Sequence, residues 1–187
     1  MDHYREHVKK RLQRIPLQYI TGEAGFRDLV FSVSSAVLIP RPETEILVEV
    51  ALEHLKDMTA PWVLDLGCGD GRLASRLARH SDLFIFAIDP DPARVVEARR
   101  RLASAGLLGN RVTVHQGRLE ATQFPKYIAN LIVSQRGLDG QLKPDRIATE
   151  ARRLQRPWGG VVAIGTTDGL TFDTRAGLAG AGTWNHQ

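Results

Sequence analysis

Residues 63–71, Val63-Leu64-Asp65-Leu66-Gly67-Cys68-Gly69-Asp70-Gly71, constrain the fold of this chain more than any other stretch. A short apolar run ending in an acid reads as a buried parallel strand. A glycine-spaced turn follows, and Arg72-Leu73-Ala74-Ser75-Arg76-Leu77-Ala78 then reads as an amphipathic helix. Glycines let the backbone swing tightly off the strand and admit a ligand where a Cβ would collide. The helix points its unpaired N–H groups at that ligand. Alone the pattern is weak, because phosphate-binding loops and plain tight turns share it.

The downstream residues narrow the reading. Leu83-Phe84-Ile85-Phe86-Ala87-Ile88 reads as a second strand ending in Asp89. That acid lies about 20 residues beyond the loop, an offset at which a carboxylate reaches a ribose hydroxyl. Loop and acid together make a βαβ unit that holds a nucleoside. No Lys-Ser or Lys-Thr pair follows the glycines, which excludes a nucleotide triphosphate loop. At these residues the chain resembles the class I S-adenosylmethionine-dependent methyltransferases, whose signature is an acid-led glycine loop of this form. The resemblance implies a doubly wound α/β fold with a mainly parallel, Rossmann-like sheet, and S-adenosyl-L-methionine as cofactor. It implies cofactor binding by Asp65, Gly67, Cys68, Gly69, Asp70, Gly71 and Asp89. Gly67, Gly69 and Gly71 would line the methionine end, Asp65 would orient the loop or the amino group, and Asp89 would take the ribose hydroxyls.

Size and composition fit one substantial core: 187 residues with interspersed charges of both signs. A net charge of +4 permits an acidic partner without requiring one, so nucleic acid stays open. Arg99-Arg100-Arg101 reads as the solvated face of a helix rather than a nucleic-acid footprint, because few aromatics accompany it. Cys68, the single cysteine, excludes an internal disulfide and reads as a small packed loop residue rather than a nucleophile. The six histidines are scattered without partners at ligand spacing, so no metal site is expected. No apolar run approaches spanning length, which makes a soluble, reducing, cytoplasmic setting the expectation.

Residues 1–14 read as a charged helix. Leu29, Phe31 and Val33 alternate with strand period, and with Gly22 and Gly25 as turn punctuation they predict a β-hairpin. Pro40 and Pro42 fix an extended approach and then a helix start. Ile46, Leu47, Val50, Ala51 and Leu55 recur at helical spacing over residues 43–56. Pro16-Leu17-Gln18-Tyr19-Ile20-Thr21-Gly22, Phe26, and Leu38-Ile39-Pro40-Arg41-Pro42-Glu43-Thr44-Glu45 with Leu47-Val48-Glu49 resemble the peptide chain release factor glutamine methyltransferases. In that family the hairpin and proline-rich turn link an N-terminal helical substrate domain to the catalytic domain. Most of that helical domain is expected to be missing here.

Residues 92–105 read as a helix capped by Gly106, and residues 111–115 as a third strand followed by Gly117 and Arg118. In related methyltransferases an acid after that glycine accepts from the adenine amino group. Arg118 has donors only and cannot do so, although Gly117 and Arg118 remain candidate cofactor-binding positions. Residues 129–134 read as a fourth strand. The glutamine methyltransferases follow it with Asn-Pro-Pro-Tyr, and this chain has Gln135-Arg136-Gly137-Leu138. Gln135, with an amide oxygen one methylene further out, is the surviving candidate for substrate orientation. A helix over 145–156 and a fifth strand over 160–165 complete the pattern. From about residue 80 onward the chain also resembles methyltransferase-like domains preceding quinone-binding-type β-propellers. Residues 111–117, 129–134 and 180–187 carry that likeness.

Only 22 residues follow Gly165, rich in Gly, Thr and Ala. They leave room for one short strand about 170–172, so the sheet is expected to lack its last two strands and to have an edge prone to self-association. The expected organisation is a helix and hairpin linker over 1–42, a cofactor domain over 43–175 and an irregular tail over 176–187. The expected function is S-adenosylmethionine-dependent methyl transfer, most like that of the release factor glutamine methyltransferases, with a protein substrate. The alternatives are a non-catalytic nucleoside-binding or interaction module of a longer protein, and a nucleic-acid methyltransferase.

Overall fold

The computed structural model describes residues 2–26, 29–35, 39, 42–56, 58, 61–166 and 169–178. It divides into two compact units, Met1–Ile46 and Leu47–Gln187.

The first unit opens on α1 (Asp2–Leu12), a charged helix whose Tyr4 and Leu12 are exposed. A short helix, α2 (Leu17–Thr21), follows where the sequence reads as the approach to a hairpin, and Gly22 ends it at φ 79°. The hairpin itself is β1 (Glu23–Phe26) antiparallel to β2 (Leu29–Ser32). Gly25 sits inside β1 opposite Val30 instead of marking a turn. Most of the proline-rich turn, residues 38, 40 and 41, lies outside the described residues. Helix α3 (Pro42–Leu55) comes next, with Leu47, Val48 and Leu55 buried.

The second unit is built on a six-stranded sheet. Its parallel strands are β3 (Trp62–Leu66), β4 (Phe84–Asp89), β5 (Val112–Gln116), β6 (Leu131–Val133) and β7 (Val161–Thr166). The order is β5-β4-β3-β6-β7-β8, and the last strand, β8 (Gly169–Thr174), is antiparallel. Val63 to Leu66 of β3 are all buried, Asp65 included, as befits a strand covered on both faces. Helices α4 (Arg72–Arg79), α5 (Pro92–Ser104), α6 (Gln135–Leu138) and α7 (Ala148–Leu154) connect the strands. The helix expected over 145–156 is divided into a 3-10 turn, Pro144–Arg146, and α7. Leu64, Leu66, Ile88, Ile132 and Ile164 of the strands pack with Ile147, Ala151 and Leu154. Asp91 caps α5 by accepting from Ala93 N at 2.9 Å, and Pro92 supplies its first turn.

The sheet does not stop at its fifth strand. Where the sequence left room for a short strand, β8 runs for six residues and pairs along the whole of β7. Leu170 and Phe172 alternate with polar residues, but its side chains are mostly exposed, so it has no buried apolar face. Gln155 pins it instead: fully buried, its Nε2 donates to Gly160 O (2.9 Å) and Asp173 O (2.8 Å). Residues 175–178 have no regular structure, and the rest of the expected tail lies outside the described residues.

Candidate functional site

Strands β3 and β4 pair in register, Asp65 with Ala87 and Leu66 with Ile88, so both end at one edge of the sheet. There the glycine turn folds onto the neighbouring strand. Gly67 N and Cys68 N both donate to Ile88 O, at 2.9 and 3.1 Å. Gly69 N donates to Asp89 Oδ2 at 2.9 Å, closing the loop on the acid at the end of β4. Gly67, Gly69 and Gly71 stand at φ 84°, 54° and 77°, a region that disfavours side-chain-bearing residues.

Asp65 and Asp89 are both fully buried. Asp89 Oδ1 accepts from Asp91 N (3.0 Å) and from Arg136 Nη1 (3.4 Å). Asp65 Oδ1 accepts from Gln135 N at 3.0 Å, whereas Asp65 Oδ2 is buried without a hydrogen-bond partner. Burial, with further contributions from the charges of Asp89, Asp139 and Asp70, raises the Asp65 pKa to about 7. Asp70 is shifted the other way. Burial opposes its ionisation, but hydrogen bonding from Gln135 and the guanidinium groups of Arg72 and Arg101 hold its carboxyl below the usual range. The distances are 2.7 Å from Gln135 Nε2, 2.9 Å from Arg72 Nε and 3.0 Å from Arg101 Nη2. Cys68 is buried, and burial with the nearby Asp65 and Asp89 carboxylates pushes its thiol well above the ordinary range, which suits a packing role and not a nucleophilic one.

Gln135 lies inside this cluster rather than at its mouth. It is 4% exposed, its Oε1 accepts from Leu73 N in the first turn of α4 at 2.8 Å, and its Nε2 is held by Asp70. Both ends of the amide are therefore engaged by the glycine loop and the helix that follows it. Gly117 hangs on the same edge through Gly117 N to Asp89 O at 3.1 Å. It also lines, with Arg118, Ile88, Phe124 and neighbouring residues, a cavity of about 540 Å³ that none of residues 65–71 lines.

Besides Arg72, two arginines belong to the site without having been read as part of it in the sequence. Arg101, read as solvated, donates to the carbonyl and carboxylate of Asp70 at 3.1 and 3.0 Å. Arg136 donates through its backbone to Gly67 O at 2.9 Å and through its side chain to Asp89. Its position directly after Gln135 was the one signal available, because whatever replaces the first proline of the family turn must sit beside the loop. Among the described residues, no group of three or more His, Cys, Asp or Glu is disposed to hold a metal ion. No helix among them is long and apolar enough to cross a membrane.

Comparison with known proteins gives a consistent picture. Residues 63–159 match the family described as "Methyltransferase domain". The chain is 39% identical over 111 residues to the release factor glutamine methyltransferase of Moorella thermoacetica, covering 59% of this chain and 39% of that protein. It is 29% identical over 221 residues to the protein of the same name from Bifidobacterium longum, covering 96% of this chain and 75% of that one. The chain thus spans about two fifths of the Moorella relative. Among solved structures it is similar to a putative S-adenosyl-L-methionine-dependent methyltransferase from Methanococcus maripaludis. That match has a TM-score of 0.58 and 28% identity over 67% of this chain and 56% of that one.

Proposed function

This chain belongs to the methyltransferase domain family, and from that premise we propose that it binds S-adenosyl-L-methionine at the β3–β4 edge and methylates a glutamine side chain of a peptide chain release factor. The observation that carries the first part is the closure of Gly69 on Asp89 beside a buried, unpartnered Asp65 Oδ2. The residues fit the group. Asp65 Oδ2 is an acceptor in want of a donor, which an α-amino group supplies. The glycine loop presents backbone that a ligand can approach closely, and Asp89 is an acid at the strand end where ribose hydroxyls are held in open α/β sheets. The cofactor-holding part is residues 43–175, with the helix and hairpin of 1–42 preceding it.

Bound there, the cofactor supplies an electrophilic methyl on a sulfonium. The protein's part is placement: bringing acceptor and methyl into line and excluding water requires no charged catalytic group. The shared name of the relatives, at 29% and 39% identity, supports a release factor glutamine as acceptor. The inward Gln135, with both amide atoms engaged, favours a second reading, a nucleoside-binding module without turnover. Incubation with methyl-labelled cofactor and a release factor separates the two. Label on a glutamine of the factor is the expected result. Saturable cofactor binding with no transfer would contradict the catalytic reading and leave the second.

A further inference from the structure

Asp89 is the acceptor on which the proposed ribose site depends, yet its Oδ1 already carries a guanidinium. Arg136 Nη1 lies 3.4 Å from that oxygen, with the carboxylate fully buried and the arginine side chain 22% exposed. Charge-assisted N–H···O bonds run about 2.7–2.9 Å, so this pair is long. Arg136 Nε is buried and has no hydrogen-bond partner, so the guanidinium is only partly satisfied where it lies.

The rest of the residue is fixed. Arg136 N donates to Gly67 O at 2.9 Å, and Arg136 O accepts from Gln141 N and Leu142 N at 2.8 and 3.0 Å. Its arm runs along the side of the loop toward which Gly67 and Gly69 would point a Cβ. A Cβ added to Gly67 would meet Arg136 Cβ at 3.3 Å, and one added to Gly69 would meet Arg136 Cγ at 3.8 Å. Backbone anchorage and a poorly satisfied head group together mean that the arm can leave by rotation about its side-chain bonds, with α6 and the loop unmoved.

We propose that Arg136 is a displaceable latch: its guanidinium occupies the Asp89 carboxylate when no ligand is bound and is expelled when a ribose diol takes that acceptor. This rests on the cofactor reading above. Asp89 would keep Gly69 N on Oδ2 and Asp91 N on Oδ1, and the lone pair released by Arg136 becomes available to a hydroxyl. Affinity is then lowered by the fraction of molecules in which the latch is closed. The latch replaces a proline position of the related family with a residue that competes for the site.

The test is calorimetric titration of the full chain and of Arg136→Met with S-adenosylhomocysteine, with thermal melts confirming that both are folded. Methionine keeps the apolar arm and removes the charge, so a difference reports the ion pair and not bulk. Binding about tenfold tighter in the variant is expected, the size of a charge-assisted contact no longer competing. Equal binding, or weaker binding in the variant, overturns the latch while leaving the cofactor reading intact. Absence of binding in both folded proteins overturns the latch and the cofactor reading together.

Discussion

Asp65→Asn is expected to stabilise the protein at pH 8 and to flatten its stability across pH 5 to 8. The wild-type carboxyl is fully buried with one oxygen unpartnered, and burial raises its pKa from 3.8 to about 7. The folded form therefore holds its proton more tightly than the unfolded form. Its contribution to stability is complete below pH 3.8 and is lost progressively as pH rises through about 7. A shift of this size corresponds to an upper bound on the order of 4 kcal/mol, since each pKa unit is about 1.4 kcal/mol. Asparagine keeps an oxygen for Gln135 N and carries no charge to desolvate. Asp70 and Glu150, both held below their usual ranges, act in the opposite window: they stabilise at neutral pH and lose that contribution as pH falls into the acid range. Denaturant melts from pH 5 to 8 separate the two effects. Wild-type stability should decline over that range relative to the variant, and parallel curves would contradict the desolvation of the buried, half-partnered carboxyl.

Gly71→Ala should lower the melting temperature by roughly 4–20 °C, given about 2–4 °C per kcal/mol for a chain of this size. Two costs add. Gly71 stands at φ 77°, where an L side chain costs about 1–2 kcal/mol. Its Cβ would lie 3.0 Å from Ala98 Cβ and 3.2 Å from Ala98 Cα, so α4 and α5 would have to part, an overpacking cost of about 1–3 kcal/mol. Gly106→Ala is the matched control. At φ 69° with nothing within 4 Å of the added atom, it bears only the backbone cost. Thermal melts of the two variants should therefore differ. Equal losses would show that the close helix approach contributes nothing.

The legible parts of this chain are those whose signal is local. Residues 63–71 and Asp89 announce a strand, turn and acid because the whole βαβ unit is consecutive in sequence. Its in-register pairing follows from two apolar runs of similar length. The side-chain relations across the site are different in kind. Arg101 meets Asp70 across 31 positions and Arg136 meets Asp89 across 47. Nothing in the residues around an arginine says which distant carboxylate it will find, so one reads as solvent-facing and the other as a lost proline. Gln135 illustrates the same limit. Its chemistry suits a substrate amide, but α6 turns it inward onto the start of α4. Strand β8 runs beyond the short strand expected about 170–172 for the converse reason, since an edge strand held by backbone pairing and by Gln155 needs no apolar face of its own.

The central claim is that the edge formed by the glycine loop and the end of β4 holds an adenosyl cofactor. Backbone amide chemical shifts of the labelled protein, followed during titration with S-adenosylhomocysteine, locate the ligand residue by residue. Saturable shifts concentrated at Gly67, Gly69, Gly71 and Asp89 to Asp91 are the predicted result. No saturable shift, or shifts confined to residues remote from that edge, would contradict it.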